Sequence, residues 1–124
     1  MNVKTGSPTR TTSRIGTVAV AFGFMLLHNL DEAFWHPEGD GKAAPIGVFA
    51  IAVITLFAYS KLGPRVRGAL VSALGILAAV VAGGGHIAHF FTGAVQPIDY
   101  SGILFFVGGL LLIWVGWSDL RRAG

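Results

Sequence analysis

The stretch VRGALVSALGILAAVVAGGGHIAHFF, residues 66–91, decides the fold. Beyond Arg67 it carries no Lys, Arg, Asp or Glu. It exceeds the ~20 apolar residues that a helix needs to cross ~30 Å of hydrocarbon. Unpaired backbone groups are too costly in lipid for an open, irregular chain, so a run of this kind reads as a membrane-spanning helix. Three further runs accompany it, at 15–35, at about 43–60 with Pro45 in the first turn, and at about 100–118. Turn-forming segments separate them: HPEGDGK at 36–42, KLGPR at 61–65 and TGAVQP at 92–97. The expected fold is an all-α, antiparallel four-helix transmembrane bundle over 15–118, with tails at 1–14 and 119–124.

Composition agrees. Hydrophobic residues make up 53% of the 124 and charged residues 12%. An ordinary soluble domain has about 25% charged residues. With no cysteine, disulfides, thiolate metal sites and cysteine nucleophiles are excluded. The formal charge of +3 invites a nucleic-acid reading, but the bases lie in short clusters between apolar runs rather than across a folded surface. No nucleic-acid partner is expected; the surrounding medium is membrane lipid. The polar segment MNVKTGSPTRTTSR, residues 1–14, cannot bury a core and reads as a mobile tail. The first apolar run is too long for a signal-peptide core and ends in acids rather than small residues, so an uncleaved helix is expected.

The bases also set orientation. Lys4, Arg10, Arg14, Lys61, Arg65, Arg67, Arg121 and Arg122 fall on one side of a four-span topology, and only Lys42 falls on the other. The positive-inside rule therefore places both termini in the cytoplasm of a bacterial-type plasma membrane.

This topology collects the remaining ionisable groups. His28, Asp31, Glu32 and His36 fall in the outer half of the first helix, and His86 and His89 near the outer end of the third. His28 and Glu32 are i,i+4 and share a helix face, with Asp31 on its flank; His86 and His89 are i,i+3. Ionisable groups in a membrane normally face the bundle interior and mark function. His28, Glu32, His86 and His89 are thus candidate ligands for Zn²⁺ or non-haem iron. Asp31 is the candidate general base on a metal-bound water, or the group that orients a ligand. Histidine ligation of haem by the same two helices is a further option. The serines lie far from the histidines in sequence, and no Walker A, Rossmann or GxSxG pattern is present.

At LLHNLDEAFWHP, residues 26–37, the chain resembles the HXXEE family of small polytopic bacterial membrane proteins, with Asp31 in the first acidic position. His86 or His89, followed by Tyr100-Ser101-Gly102, is similar to that family's later histidine with an aromatic and a glycine. The resemblance implies a polytopic helical fold and site residues His28, Asp31, Glu32 and His89. The family is mostly uncharacterised, so it implies no reaction.

Three functional classes remain open on these residues. One is a metal-dependent protein acting on a lipid or other apolar substrate at the outer leaflet. Another is a proton-coupled permease with Glu32 and the histidines as relay. The last is a scaffold or accessory subunit in which the small-residue ridge Gly75, Ala79, Gly83 forms an external, homo-oligomeric interface. The orientation is tested first. Green fluorescent protein fused after Gly124 should fluoresce, and periplasmic alkaline phosphatase fused there should be inactive; the opposite pair of signals would invert the topology.

Overall fold

The structure, a computed structural model, describes residues 8–36 and 43–124, with side chains from residue 13 onward. Residues 1–7 and 37–42 lie outside the described residues, and with them Lys4, Glu38, Asp40 and Lys42. Four helices account for almost all of the described chain: α1 (Pro8–Trp35), α2 (Ala44–Lys61), α3 (Pro64–Thr92) and α4 (Pro97–Ala123). Each contains a stretch long and apolar enough to cross a membrane. No strand occurs among the described residues.

Proline and glycine set the boundaries. Pro45, Pro64 and Pro97 occupy the first turns of α2, α3 and α4, where a missing N–H costs nothing and the fixed φ suits the helix. Before Pro64 and Pro97, Gly63 and Gln96 are extended, with ψ of 159° in both, as a residue preceding proline prefers. α3 ends at Gly93, whose φ of 76° lies in the left-handed region favouring glycine. Both outer helices outrun the sequence expectation. α1 begins at Pro8, so residues 8–14 are helical rather than tail, and α4 continues to Ala123.

α4 packs against both α1 and α3, while α2 lies on α1 and barely touches α3. Close approach of α3 and α4 depends on glycine. A Cβ at Gly75 would lie 2.6 Å from the Gly109 carbonyl oxygen, and one at Gly116 would lie 2.6 Å from that of Gly68. The ridge Gly75, Ala79, Gly83 is buried against α4, with Gly83 on the backbone of Phe106. That ridge is an internal seam of the chain rather than an outward-facing surface, the other of the two settings that small residues suit. Between Gly75 and Gly83, the segment Leu77–Gly83 winds as a π-helix. Each i→i+5 bond encloses one residue more than an α turn. The seam spacing of seven from Gly68 to Gly75 becomes eight from Gly75 to Gly83 across this segment.

At one end of the bundle a single carboxylate joins all four helices. Asp119, fully buried near the end of α4, accepts from the Arg14 guanidinium of α1 and from the Tyr59 hydroxyl of α2 at 2.5 Å. It also accepts from Arg67 Nε of α3 at 3.1 Å. The Arg67 guanidinium stands 4.9 Å from the Tyr59 ring centroid, adding a cation–π contact. Removing the acceptor leaves two guanidiniums facing each other in a poorly hydrated site. Asp119→Ala should therefore lower unfolding stability in detergent by about 3–5 kcal/mol. Lys61→Ala, at an exposed position, should stay within about 0.5 kcal/mol. Equal thermal midpoints for the two variants would contradict the clamp.

Candidate functional site

The opposite end holds the histidines. His28 is 4% exposed, and its Nδ1 lies 2.9 Å from Ser101 Oγ of α4. Ser101 Oγ lies 2.5 Å from Asp31 Oδ2 and 3.1 Å from the Ile98 carbonyl. The hydroxyl has one proton, and the carboxylate is the nearer and stronger acceptor, so Ser101 donates to Asp31 and accepts from His28 Nδ1–H. His28 Nε2 then carries a free lone pair.

A second imidazole group adjoins it. Asp99, fully buried, accepts from His86 Nδ1 at 2.7 Å and from His89 Nδ1 at 3.0 Å to each of its oxygens. Local sequence places this carboxylate. Gln96 is the N-cap of α4, Pro97 the first helical residue and Asp99 the third; the Gln96 N–H donates to Asp99 Oδ2 at 2.6 Å. The cap thus fixes the acid while α3 delivers both histidines, which are i,i+3 and share a face. Gly102 admits His86, since a Cβ there would lie 2.3 Å from His86 Cγ. The rings of His28 and His86 meet edge to face at 4.7 Å, joining the two groups. The side chain of His89 is 41% exposed and leads outward from the cluster.

Of the residues expected from sequence, His28, Asp31, His86 and His89 converge here. Glu32 does not join them: it lines a separate depression of about 540 Å³ with His36, Gln96, Pro97 and Ile98. At 100° per residue, positions i+3 and i+4 fall on opposite flanks of His28, and α4 lies on the i+3 flank. Asp31 rather than Glu32 is therefore the partner of His28, through Ser101. Sequence reasoning missed Ser101 and Asp99. The signal for Asp99 was QPID, a helix-start pattern that opens the helix at Pro97, three residues before the assumed boundary at Tyr100. For Ser101 the residues around it do not reveal the role, because its His28 and Asp31 partners lie on α1. Among the described residues, no group of three or more His, Cys, Asp or Glu is arranged to hold a metal ion.

Beneath the cluster lies an apolar cavity of about 230 Å³, lined among others by Met25, Val48, Leu74, Ala78, Phe105 and Leu112. It draws on all four helices and occupies the gap left where α2 and α3 barely meet. Phe105 connects it to the polar group, with its ring 5.6 Å from that of His28 in an edge contact. No protein-family model, curated protein or solved structure matches the chain.

The Gly102 contact gives a local test. Gly102→Ala should push His86 off Asp99, and ¹⁵N NMR of the labelled histidines should show the His86 Nδ1 signal shifting while that of His89 stays in place. Gly85→Ala, with open space around the added Cβ, should leave both signals in place.

Proposed function

We propose that this is a multi-pass plasma-membrane protein, an antiparallel bundle with both termini cytoplasmic. Its outer-leaflet histidine–carboxylate centre performs acid–base chemistry on the polar head of a molecule with a hydrocarbon tail. The observation that carries the reading is the anchoring of three imidazoles through Nδ1, two on Asp99 and one on Ser101 backed by Asp31. Such anchoring fixes ring orientation and tautomer and leaves Nε2 as the working atom for taking or returning a proton. The apolar cavity under His28 suits the tail, as sites for small molecules combine an apolar lining with a few placed polar groups.

The interior between the two ends weighs against a proton-coupled permease. Val18, Phe22, Met25, Val71, Leu112 and Val115 line it, and among the described residues only Thr55 and the Ser72 hydroxyl are buried polar side-chain groups between the two ends. A relay across the span needs polar side chains or water along it. Work from one leaflet suits these residues better.

A metal-supported version of the same chemistry is the second reading. A carboxylate on the Nδ1–H of a histidine is the usual outer partner of an imidazole that ligates metal through Nε2. In that version His28, His86 and His89 are the Zn²⁺ or iron ligands, with Asp99 behind two of them. It ranks second because the side chains stand in hydrogen-bonding rather than ligating geometry.

Mass spectrometry of lipid extracts should reveal a species altered in cells making the wild-type chain and unaltered in cells making Asp99→Asn. Asp99 orients two of the working imidazoles, and loss of an orienting carboxylate lowers turnover by about 10⁴-fold. Identical extracts would overturn the proposal. Metal analysis of the purified protein, against a His28→Ala/His86→Ala variant, separates the two versions.

A further inference from the structure

The basic end of the bundle has features that the clamp on Asp119 does not use. Among the described residues it gathers Arg14, Lys61, Arg65, Arg67, Arg121 and Arg122 around one acid, Asp119. Two guanidiniums, Arg14 and Arg67, share that single carboxylate, so the clamp keeps one uncompensated positive charge. Three of the other bases have neutral partners. Arg65 donates to the Ala123 carbonyl at 3.1 Å, Lys61 stands 5.9 Å from the Phe57 ring centroid, and Arg121 stands 5.1 Å from that of Trp117. Arg122 makes no ion pair among the described residues.

Arg14 and Arg122 border one depression of about 240 Å³ between α1 and α4, together with Ser13, Ser118, Trp114 and Val115. We propose that this depression is a second binding site, which takes the phosphodiester headgroup of an anionic membrane lipid. The two guanidiniums supply charge and forked donors that match phosphate oxygens, and the two hydroxyls supply further donors. Its volume equals about eight waters at ~30 Å³ each, the scale of a phosphate bearing a short alcohol. The lining is graded. Its polar members lie toward the ends of α1 and α4, whereas Trp114 and Val115 lie further into the span than Ser118 and Arg122, where lipid chains begin. A free phosphate would use only the first part; a lipid uses both. Basic pockets between transmembrane helices recognise anionic headgroups in this way.

The test is native mass spectrometry of the full chain in detergent, titrated with phosphatidylglycerol or phosphatidylcholine of identical acyl chains. Wild type should retain phosphatidylglycerol preferentially, and Arg122→Gln should weaken that retention about fivefold, as expected for one lost base. Lys61→Gln removes the same charge away from the depression and should leave retention unchanged. Equal retention of the two lipids would overturn the site, as would an equal loss in Lys61→Gln, which marks diffuse charge. Displacement of the lipid by millimolar inorganic phosphate would also overturn the lipid assignment. Should Arg122→Gln unfold, Ser13→Ala/Ser118→Ala serves instead: a severalfold loss supports the site and no loss rejects it.

Discussion

Asp119 is withdrawn from solvent and accepts from Arg14, Tyr59 and Arg67, so the start of α1, the end of α2, the start of α3 and the end of α4 meet at one carboxylate. The rest of the molecule is laid out from that point. At 1.5 Å per residue, Arg14 to His28 rises about 21 Å and Asp119 back to Ser101 about 27 Å. Helix tilt absorbs the difference. Along this distance the glycine seam holds α3 and α4 nearly backbone to backbone, and apolar side chains exclude water. Helices pinned at one end and packed this closely have little freedom at the other, and there the histidine rings must meet within hydrogen-bonding tolerance.

The two ends use charge in opposite ways. At the clamp, cations outnumber the anion, and the acid is enclosed by its donors. At the histidine end two carboxylates each support imidazoles, and His89 opens outward. The apolar interior between them keeps the ends chemically separate. The acid–base chemistry proposed for His28 and His86 would therefore leave the clamp undisturbed.

The four spans were legible in the sequence because hydrophobic length is a property of one segment at a time. His28, His86 and His89 were legible for a related reason: topology alone puts them at the same level. Glu32 was grouped with the histidines, from which it lies apart, because i,i+4 spacing identifies a face without saying on which flank the neighbouring helix lies. Asp99 was passed over because the start of α4 was set at Tyr100, and the cap pattern at Gln96 was read as loop. Arg14 and Asp119 were assigned to the two tails, since no local pattern reveals a partner more than a hundred residues away. Gly75 and Gly83 were visible as a small-residue ridge, but whether such a ridge faces lipid or protein depends on the packing of α4.

The wide turns of Leu77–Gly83 have a mechanical meaning. They lie between Arg67, tied to the clamp, and His86 and His89, tied to Asp99. Each residue in an α-helix advances the phase by about 100°. Were the surplus residue squeezed out of the π segment toward the Thr92 end, everything beyond it would rotate by about that angle, carrying both imidazoles away from their carboxylate. Deleting one residue inside the segment would do the reverse, straightening the helix while both ends keep their phase. α3 therefore contains a torsional joint, and the angle at which it is set decides whether His86 and His89 are in or out of register with the rest of the protein.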